Sequence, residues 1–320
     1  MMMQSADVTI NIIGWLLKAT LEASAPLVLA ALGGMFSERS GVVNIGLEGL
    51  MLISAATGAA GSFIFKNPWI GLLFGVGAGA ALAAVHAIIC VKYKGNHIVS
   101  GTGILLFAAG ASALLLPVIW GREGVSDKVP AIPDVSIPGS INVPILGPTL
   151  AGVSPIVYSM FVIAIICWYV LYKTSFGLRL RASGEDPSTL DTAGVNVEYM
   201  RYIGVILSGV LSGLAGAYLS ISFQARFSKG MTSGRGFIAL AALIFGNWTP
   251  VGCLLSGLFF GFLDGLTNAI QIVPELSFLQ PYNDFIFMLP YVLVVVALAV
   301  IRKSVPPKGV GQPYEKEMKG

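Results

Sequence analysis

The chain has 320 residues, of which 55% are apolar and only 11% charged, with a formal net charge of +3 and a mean hydropathy of +0.82. Soluble globular chains carry about 25% charged residues, so this composition excludes an ordinary water-soluble domain and makes lipid the solvent for most of the surface. The small positive balance argues against nucleic acid as a partner and fits the basic bias of cytoplasmic membrane loops.

A helix that crosses the hydrocarbon core needs about 20 apolar residues. On that criterion the predicted elements, in chain order, are helices at 10–32, 42–63, 69–91, 98–120, 153–172, 202–223, 236–245 (short), 251–273 and 285–301. This is an all-α polytopic bundle of about nine spans, read as one membrane domain over 1–320. Residues 1–11 lack the basic start of a signal peptide, so the first span itself is expected to direct insertion. On that span Lys18 and Glu22 stand one turn apart and read as a self-satisfied pair. His86 on the third span reads as a packing histidine. Cys90, Cys167 and Cys253 lie far apart in apolar runs with no metal or redox spacing, and read as packing residues.

Small residues recur at four-residue spacing in Gly71, Gly75 and Gly79, in Gly209 and Gly213, and in Gly257, Gly261 and Gly265. In lipid such spacing lets helix backbones approach closely. Basic residues cluster at Lys92 and Lys94, between Lys173 and Arg201, and at 302–308, and all three groups are expected in the cytoplasm. The Pro/Gly-rich loop 121–152 is then external, and 302–320 is a cytoplasmic tail. Arg226, Lys229 and Arg235 fall on the external side, against the charge rule.

The polar loop 174–200 is the most informative soluble piece. Asp186 suits a helix N-cap, Pro187 the first helical position and Gly194 the stop, which predicts a helix of about two turns between 186 and 194. A helix that short is marginal alone in water and so is expected to dock on something; a capped surface turn is the plainer alternative. The segment resembles the cytoplasmic coupling loop of permeases in the superfamily of branched-chain amino acid, ribose and nucleoside importers driven by ATP-binding cassettes. The match runs through Arg181, Ala182, Gly184, Glu185, Ala193 and Gly194. Leu190 departs from the small residue of that pattern. The resemblance implies that Gly184, Glu185, Asp186, Pro187, Leu190, Ala193 and Gly194 engage a separate ATPase subunit.

The stretch 36–55, FSERSGVVNIGLEGLMLISA, together with GFIALAALIFGNWTP at 236–250, resembles the nucleoside and simple-sugar permeases of the same superfamily. Laying Gly46-Leu47-Glu48-Gly49-Leu50 over Ser233-Gly234-Arg235-Gly236-Phe237 gives two glycine-rich helix starts, one running outward and one inward. That is the pattern of an inverted repeat, whose interrupted segments point to the transport path. Glu48 and Arg235 then occupy matching positions. Charges at membrane depth are costly and face protein or water, so the two read either as a polar patch on the pathway or as a structural ion pair. Asp264 and Asn268, one turn apart, read as interhelical hydrogen-bonding groups ahead of substrate contacts. Asn44, Phe237 and Trp248 are candidate pathway residues for an aromatic cargo with hydrogen-bonding groups.

Gly-x-x-x-x-Gly-Lys-Ser/Thr does not occur, so ATP must be hydrolysed on another subunit or energy must come from an ion gradient. No nucleophile elbow or zinc-binding helix is present, and no catalytic residue, metal or cofactor is expected. The resemblance implies a permease subunit in the cell membrane, probing three protein partners: an ABC ATPase, a second homologous permease in a heterodimer and an extracytoplasmic substrate-binding protein. The implied cargo is a nucleoside, with riboflavin or a simple sugar as alternatives. An ion-coupled carrier using Glu48 or Asp264, and a scaffold without cargo, are the rivals from other classes.

Overall fold

Where the sequence is apolar for about 20 residues the backbone has no water to bond and closes its hydrogen bonds within helices. The computed structural model describes residues 2–136, 146–272, 274–300 and 305–315. It contains twelve α-helices among those residues: α1 Met2–Arg39, α2 Leu47–Phe65, α3 Pro68–Ala87, α4 His97–Trp120, α5 Leu146–Leu150, α6 Pro155–Lys173, α7 Ser175–Glu185, α8 Pro187–Thr192, α9 Val197–Tyr218, α10 Arg235–Phe245, α11 Pro250–Ile272 and α12 Asn283–Val300. α3 and α9 each end in a π turn, at Ile88–Lys92 and Leu219–Phe223, and a 3-10 segment, Pro274–Tyr282, precedes α12. The described residues contain isolated β-bridges but no strand.

Seven of these helices are long and apolar enough to cross a membrane. The short segment expected at 236–245 is α10, of 11 residues, about 16 Å at a 1.5 Å rise. It is too short to cross alone. The last expected span begins as α12, and 301–304 lie outside the described residues. Among the described residues there are thus seven full-length candidates, the half-length α10 and, for the ninth expected span, α12 as far as Val300; the exact count of nine is not confirmed.

α2 and α9 sit at the centre, with 83% and 72% of their apolar windows buried, whereas α4 is the most peripheral at 22%. The outward face of α4 carries Leu106, Phe107, Leu114 and Val118, all exposed and fit for lipid. The glycine stripes lie where helices touch. A Cβ on Gly79 would stand 2.6 Å from the Gly209 carbonyl, and one on Gly71 2.6 Å from that of Gly58. Gly257, Gly261 and Gly265 likewise seat α11 against Val28, Ser24 and Thr20 of α1. Contact at backbone distance replaces the hydrophobic drive that lipid cannot supply.

Two ends of the bundle can be told apart. At one end the segment 305–315 lies as a strap beneath α7, α9 and the residues after α1. Gly309 donates to the Gly184 carbonyl at 2.8 Å and Gly311 to that of Gly41 at 3.0 Å. Arg201 Nη1 donates to the Gln312 carbonyl at 2.9 Å, and Lys94 pairs with Glu315 at 3.0 Å. Lys94, Arg201 and Lys308, one from each basic group expected on one side, thus share one end; Arg302 and Lys303 lie outside the described residues. At the other end, residues 126–132 run along the chain after α9, with Ser126, Val129 and Ile132 donating to the carbonyls of Phe227, Ala225 and Ile221. Of the loop expected to be external, 137–145 lie outside the described residues.

Candidate functional site

The chain between α1 and α2 is not helical, yet Ser40, Val42 and Asn44 are fully buried. Irregular backbone at membrane depth is tolerated only where protein satisfies its polar groups, and both histidines of the chain do this for one residue. The Val43 amide donates to His97 Nδ1 at 3.2 Å. The Val43 carbonyl accepts from His86 Nε2 at 3.0 Å, while His86 Nδ1 takes the Ser100 hydroxyl at 2.8 Å. The amide bond to His97 requires a free lone pair on Nδ1 and so places that ring's proton on Nε2, and the bond to the Val43 carbonyl places a proton on His86 Nε2 as well. His86 is therefore a packing histidine with a definite task. Asn44 Nδ2 donates to Ser208 of α9 at 2.9 Å, and its Oδ1 has no partner among the described residues.

This segment delivers Glu48 to the first turn of α2, where it meets the N-terminus of α10. Glu48 Oε2 accepts from the Gly236 amide at 2.6 Å, and Oε1 accepts from the Gly234 amide at 2.9 Å and from Thr232 Oγ1 at 2.6 Å. A carboxylate of one helix thus caps the start of another, satisfying donors that a helix N-terminus leaves open and facing the positive end of its dipole. Two glycines permit it. Gly234 has φ +82°, open only to glycine at low strain, and a Cβ on Gly236 would run into the Glu48 backbone.

Glu48 and Arg235 are close neighbours, but they are not partners. Arg235 Nη2 reaches Asp264 Oδ2 of α11 at 3.0 Å, both side chains being mostly buried at 16% and 14% exposure, and Arg235 Nε adds a second contact to the same oxygen at 3.3 Å. Of the two readings left open for these charges, the direct ion pair does not form: each has its own partners. The helix starts also shift that alignment by one residue: α2 begins at Leu47 and α10 at Arg235, each after a glycine cap. Asp264 acts as an interhelical group, as its spacing suggests.

The Arg235–Asp264 pair lines a hollow of 290 Å³ with Gln224, Thr267 and Tyr291. Tyr291 Oη donates to the Ser233 carbonyl at 3.3 Å. Tyr291, Gln224 and Thr267 were not singled out in the sequence; a lone hydroxyl in the apolar run of α12 was the available signal for Tyr291. The other candidate pathway residues separate. Phe237 is exposed on the side of α10. Trp248 lies at the far end of that helix, buried, with Nε1 donating to Glu38 at 2.5 Å and its carbonyl accepting from Arg39 Nε at 2.8 Å. Its bonds tie α10 to the end of α1, which makes it a structural residue, far from the hollow.

The polar segment 174–200 has the expected local form. Asp186 accepts from the Thr189 amide at 3.1 Å, Pro187 opens α8, and Gly194 has φ +80°. Hydroxyls of Thr189 and Ser188 and the Thr189 amide hold the exposed Asp186 carboxyl down to about 2. A further helix, α7, capped by the Thr174 hydroxyl, precedes it. Glu185, Asp186 and Ala193 face outward. Gly184 and Leu190 do not: Gly184 is pressed against the Arg39 carbonyl, and Leu190 is buried with Val197, Met200 and Tyr314. Their place is inside the permease. Ser183 Oγ donates to the Ser40 carbonyl at 2.7 Å and Glu185 pairs with Arg39 at 3.5 Å, so α7 is bonded to the irregular segment that leads to Glu48. Among the described residues no group of three or more metal-ligating side chains occurs.

The profile of the family described as "Branched-chain amino acid transport system / permease component" matches residues 16–298. The chain is 41% identical over 318 residues to the guanosine ABC transporter permease protein NupQ of Bacillus subtilis, covering 96% of this chain and 98% of that one. It is 39% identical over 301 residues to the nucleoside ABC transporter permease protein NupC of Lactococcus lactis, covering 92% and 94%. A second guanosine permease of B. subtilis, NupP, is 24% identical over 265 residues, covering 77% and 73%. No solved structure matches.

Proposed function

The chain belongs to the branched-chain amino acid transport system / permease component family, and from that premise we propose that this membrane permease subunit of an ABC importer carries a nucleoside into the cell through the hollow beside the α2–α10 junction. The observation that carries the cargo reading is 41% identity to a guanosine permease over 96% of the chain. The polar lining of the hollow supports it. The guanidinium of Arg235, the amide of Gln224 and the hydroxyls of Thr267 and Tyr291 offer donors and acceptors to a heteroaromatic base.

The strap end faces the cytoplasm, on the basic-residue rule. There the exposed side of α8, with Glu185, Asp186 and Ala193, is the contact for a separate ATPase. Motion imposed on α8 passes through Glu185 to Arg39 at the end of α1 and through Ser183 to the segment 40–46, and from there to Glu48. The α10 N-terminus that Glu48 caps bounds the hollow, so coupling acts at one wall of the cargo site. The matches to two different guanosine permeases of one organism favour a heterodimer with a second permease. A substrate-binding protein delivers cargo at the opposite end, and the cell membrane is the site of action.

Uptake of labelled guanosine by vesicles holding the assembled importer tests this. ATP-dependent accumulation inside is expected. Accumulation of free ribose or riboflavin without any nucleoside would overturn the cargo reading. Uptake driven by an ion gradient without ATP would overturn the energy source.

A further inference from the structure

A second hollow, of 340 Å³, adjoins the first, and its chemistry is the opposite. Gln224 and Thr267 line the first hollow; their chain neighbours Phe223 and Asn268 line the second. The two spaces therefore share the wall formed by the turn after α9 and by α11. The first hollow presents the cations Lys229 and Arg235, the latter paired with Asp264. The second presents the carboxylates of Glu22 and Asp134, with the Asn268 amide and the Phe223 ring beside them.

These groups are held in place. Glu22 lies 4.0 Å from Lys18, whose Nζ is fixed on the Ala151 carbonyl at 2.9 Å. The buried Tyr218 donates its hydroxyl to the Glu22 backbone carbonyl at 3.0 Å. Asp134 precedes Val135, whose amide donates to the Val153 carbonyl at 2.9 Å. The two carboxylates line the same hollow, and Lys18 stands beside Glu22. Ionised carboxylates only accept hydrogen bonds, and bonds to them are stronger than neutral ones. What suits such a site is a neutral group that offers two adjacent O–H donors.

We infer that the hollow bounded by Glu22, Asp134, Asn268 and Phe223 is a sugar subsite, taking the vicinal diol of a ribose ring on its carboxylates while the base lies in the Arg235 hollow. The inference rests on the nucleoside reading and deepens it. It assigns recognition of the two halves of the cargo to two neighbouring spaces of opposite charge. Each falls within, or close to, the size of small-ligand pockets, about 300–1,000 Å³. Phe223, at the shared wall, gives an apolar face between them.

The test compares uptake of a ribonucleoside and its 2′-deoxy counterpart by the whole importer in vesicles, in the wild type and in Glu22→Gln and Asp134→Asn. The binding protein is common to all, so a change in the ratio of the two uptakes isolates the permease. Each variant should lower ribonucleoside uptake about tenfold relative to the 2′-deoxynucleoside, the scale of one lost hydrogen bond to a charged acceptor. Arg235→Gln should lower both uptakes and leave the ratio unchanged. An unchanged ratio in both carboxylate variants, with or without an equal loss of both uptakes, overturns the subsite and leaves the nucleoside reading standing. Failure of the wild type to take up either nucleoside overturns the cargo reading and this inference with it.

Discussion

Glu48 and Arg235 show how a buried charge is satisfied by what surrounds it in space. Glu48 is occupied by two amides and a hydroxyl; Arg235 is occupied by Asp264. Removing the Arg235 charge leaves Asp264 alone, and the reverse. Breaking a fully buried pair costs about 3–5 kcal/mol, but this one borders a hollow, so a loss nearer ~2 kcal/mol is expected. The double variant Arg235→Gln/Asp264→Asn should recover much of that loss, whereas Glu48→Gln/Arg235→Gln should recover clearly less, because these two neighbours share no bond. Thermal unfolding of the purified protein in detergent reads both cycles. Equal recovery in the second pair, or additivity in the first, would contradict these assignments. Glu48→Gln alone places an amide N–H₂ against helix donors and should cost about 1–3 kcal/mol.

The sequence marked Glu48 as important because a carboxylate amid Gly46, Leu47, Gly49 and Leu50 needs a reason. It could not name the partners, since these are backbone amides 186 and 188 residues away, and amides leave no trace in residue identity. The same blindness placed Trp248 on the pathway. An indole in a Gly-Asn-Trp-Thr-Pro run looks available, and only the fold brings Glu38 to its ring nitrogen.

At the scale of the element, α8 was legible because capping is local: Asp186, Pro187 and Gly194 act within a few residues of one another. α7 was missed because Arg179 and Arg181 made its run read as loop, although the Thr174 cap was in plain view. Leu190 read as a contact for a partner because the burial that claims it involves Tyr314, far along the chain. Leu190→Asp therefore bears on the permease's own packing and cannot isolate the ATPase contact; Ala193→Asp, on the exposed face, is the better variant. It should leave the permease at normal membrane level while lowering transport-stimulated ATP hydrolysis at least about fivefold. Normal stimulation would remove α8 from the contact.

The pH behaviour of this element follows from the Asp186 cap. Its carboxyl is held at about 2 against an ordinary value near 3.8. The cap's contribution is therefore complete above about pH 4 and is lost as pH falls toward 2. Amide exchange at Thr189, corrected for its intrinsic rate, should keep its protection from pH 7 to 4 and lose it below. The strap makes its own prediction. Lys308 is exposed, but its amide is 3.3 Å from Glu185 Oε2 and the next amide is bonded to Gly184. Glu185→Ala should speed tryptic cleavage after Lys308 several-fold, read by intact mass.

For the whole molecule, hydropathy located the apolar helices well because lipid forces every backbone group into helical bonds. It missed their ends where polar residues continue a helix, as Ser37, Glu38 and Arg39 do in α1, and it absorbed the irregular segment 42–46 into a span. Ser126 is also less accessible than a loop residue would be. It is 4% exposed, and its hydroxyl accepts from the Phe227 amide. Glu123, exposed nearby, is the better topology probe. With the native cysteines replaced, Glu123→Cys should react with an impermeant maleimide in intact cells and Ser188→Cys only after lysis. The opposite pattern would invert the orientation.

The strap also orders the making of the protein. Gly41 is synthesised early and Gln312 about 270 residues later, yet the bonds of Gly309, Gly311 and Gln312 are added to those by which Ser183 and Ser208 already hold the segment after α1 to α7 and α9. Arg201 Nη1 has its carbonyl only once that late stretch is in place. The strap is thus a clasp laid last, over a junction that earlier parts of the chain have already made.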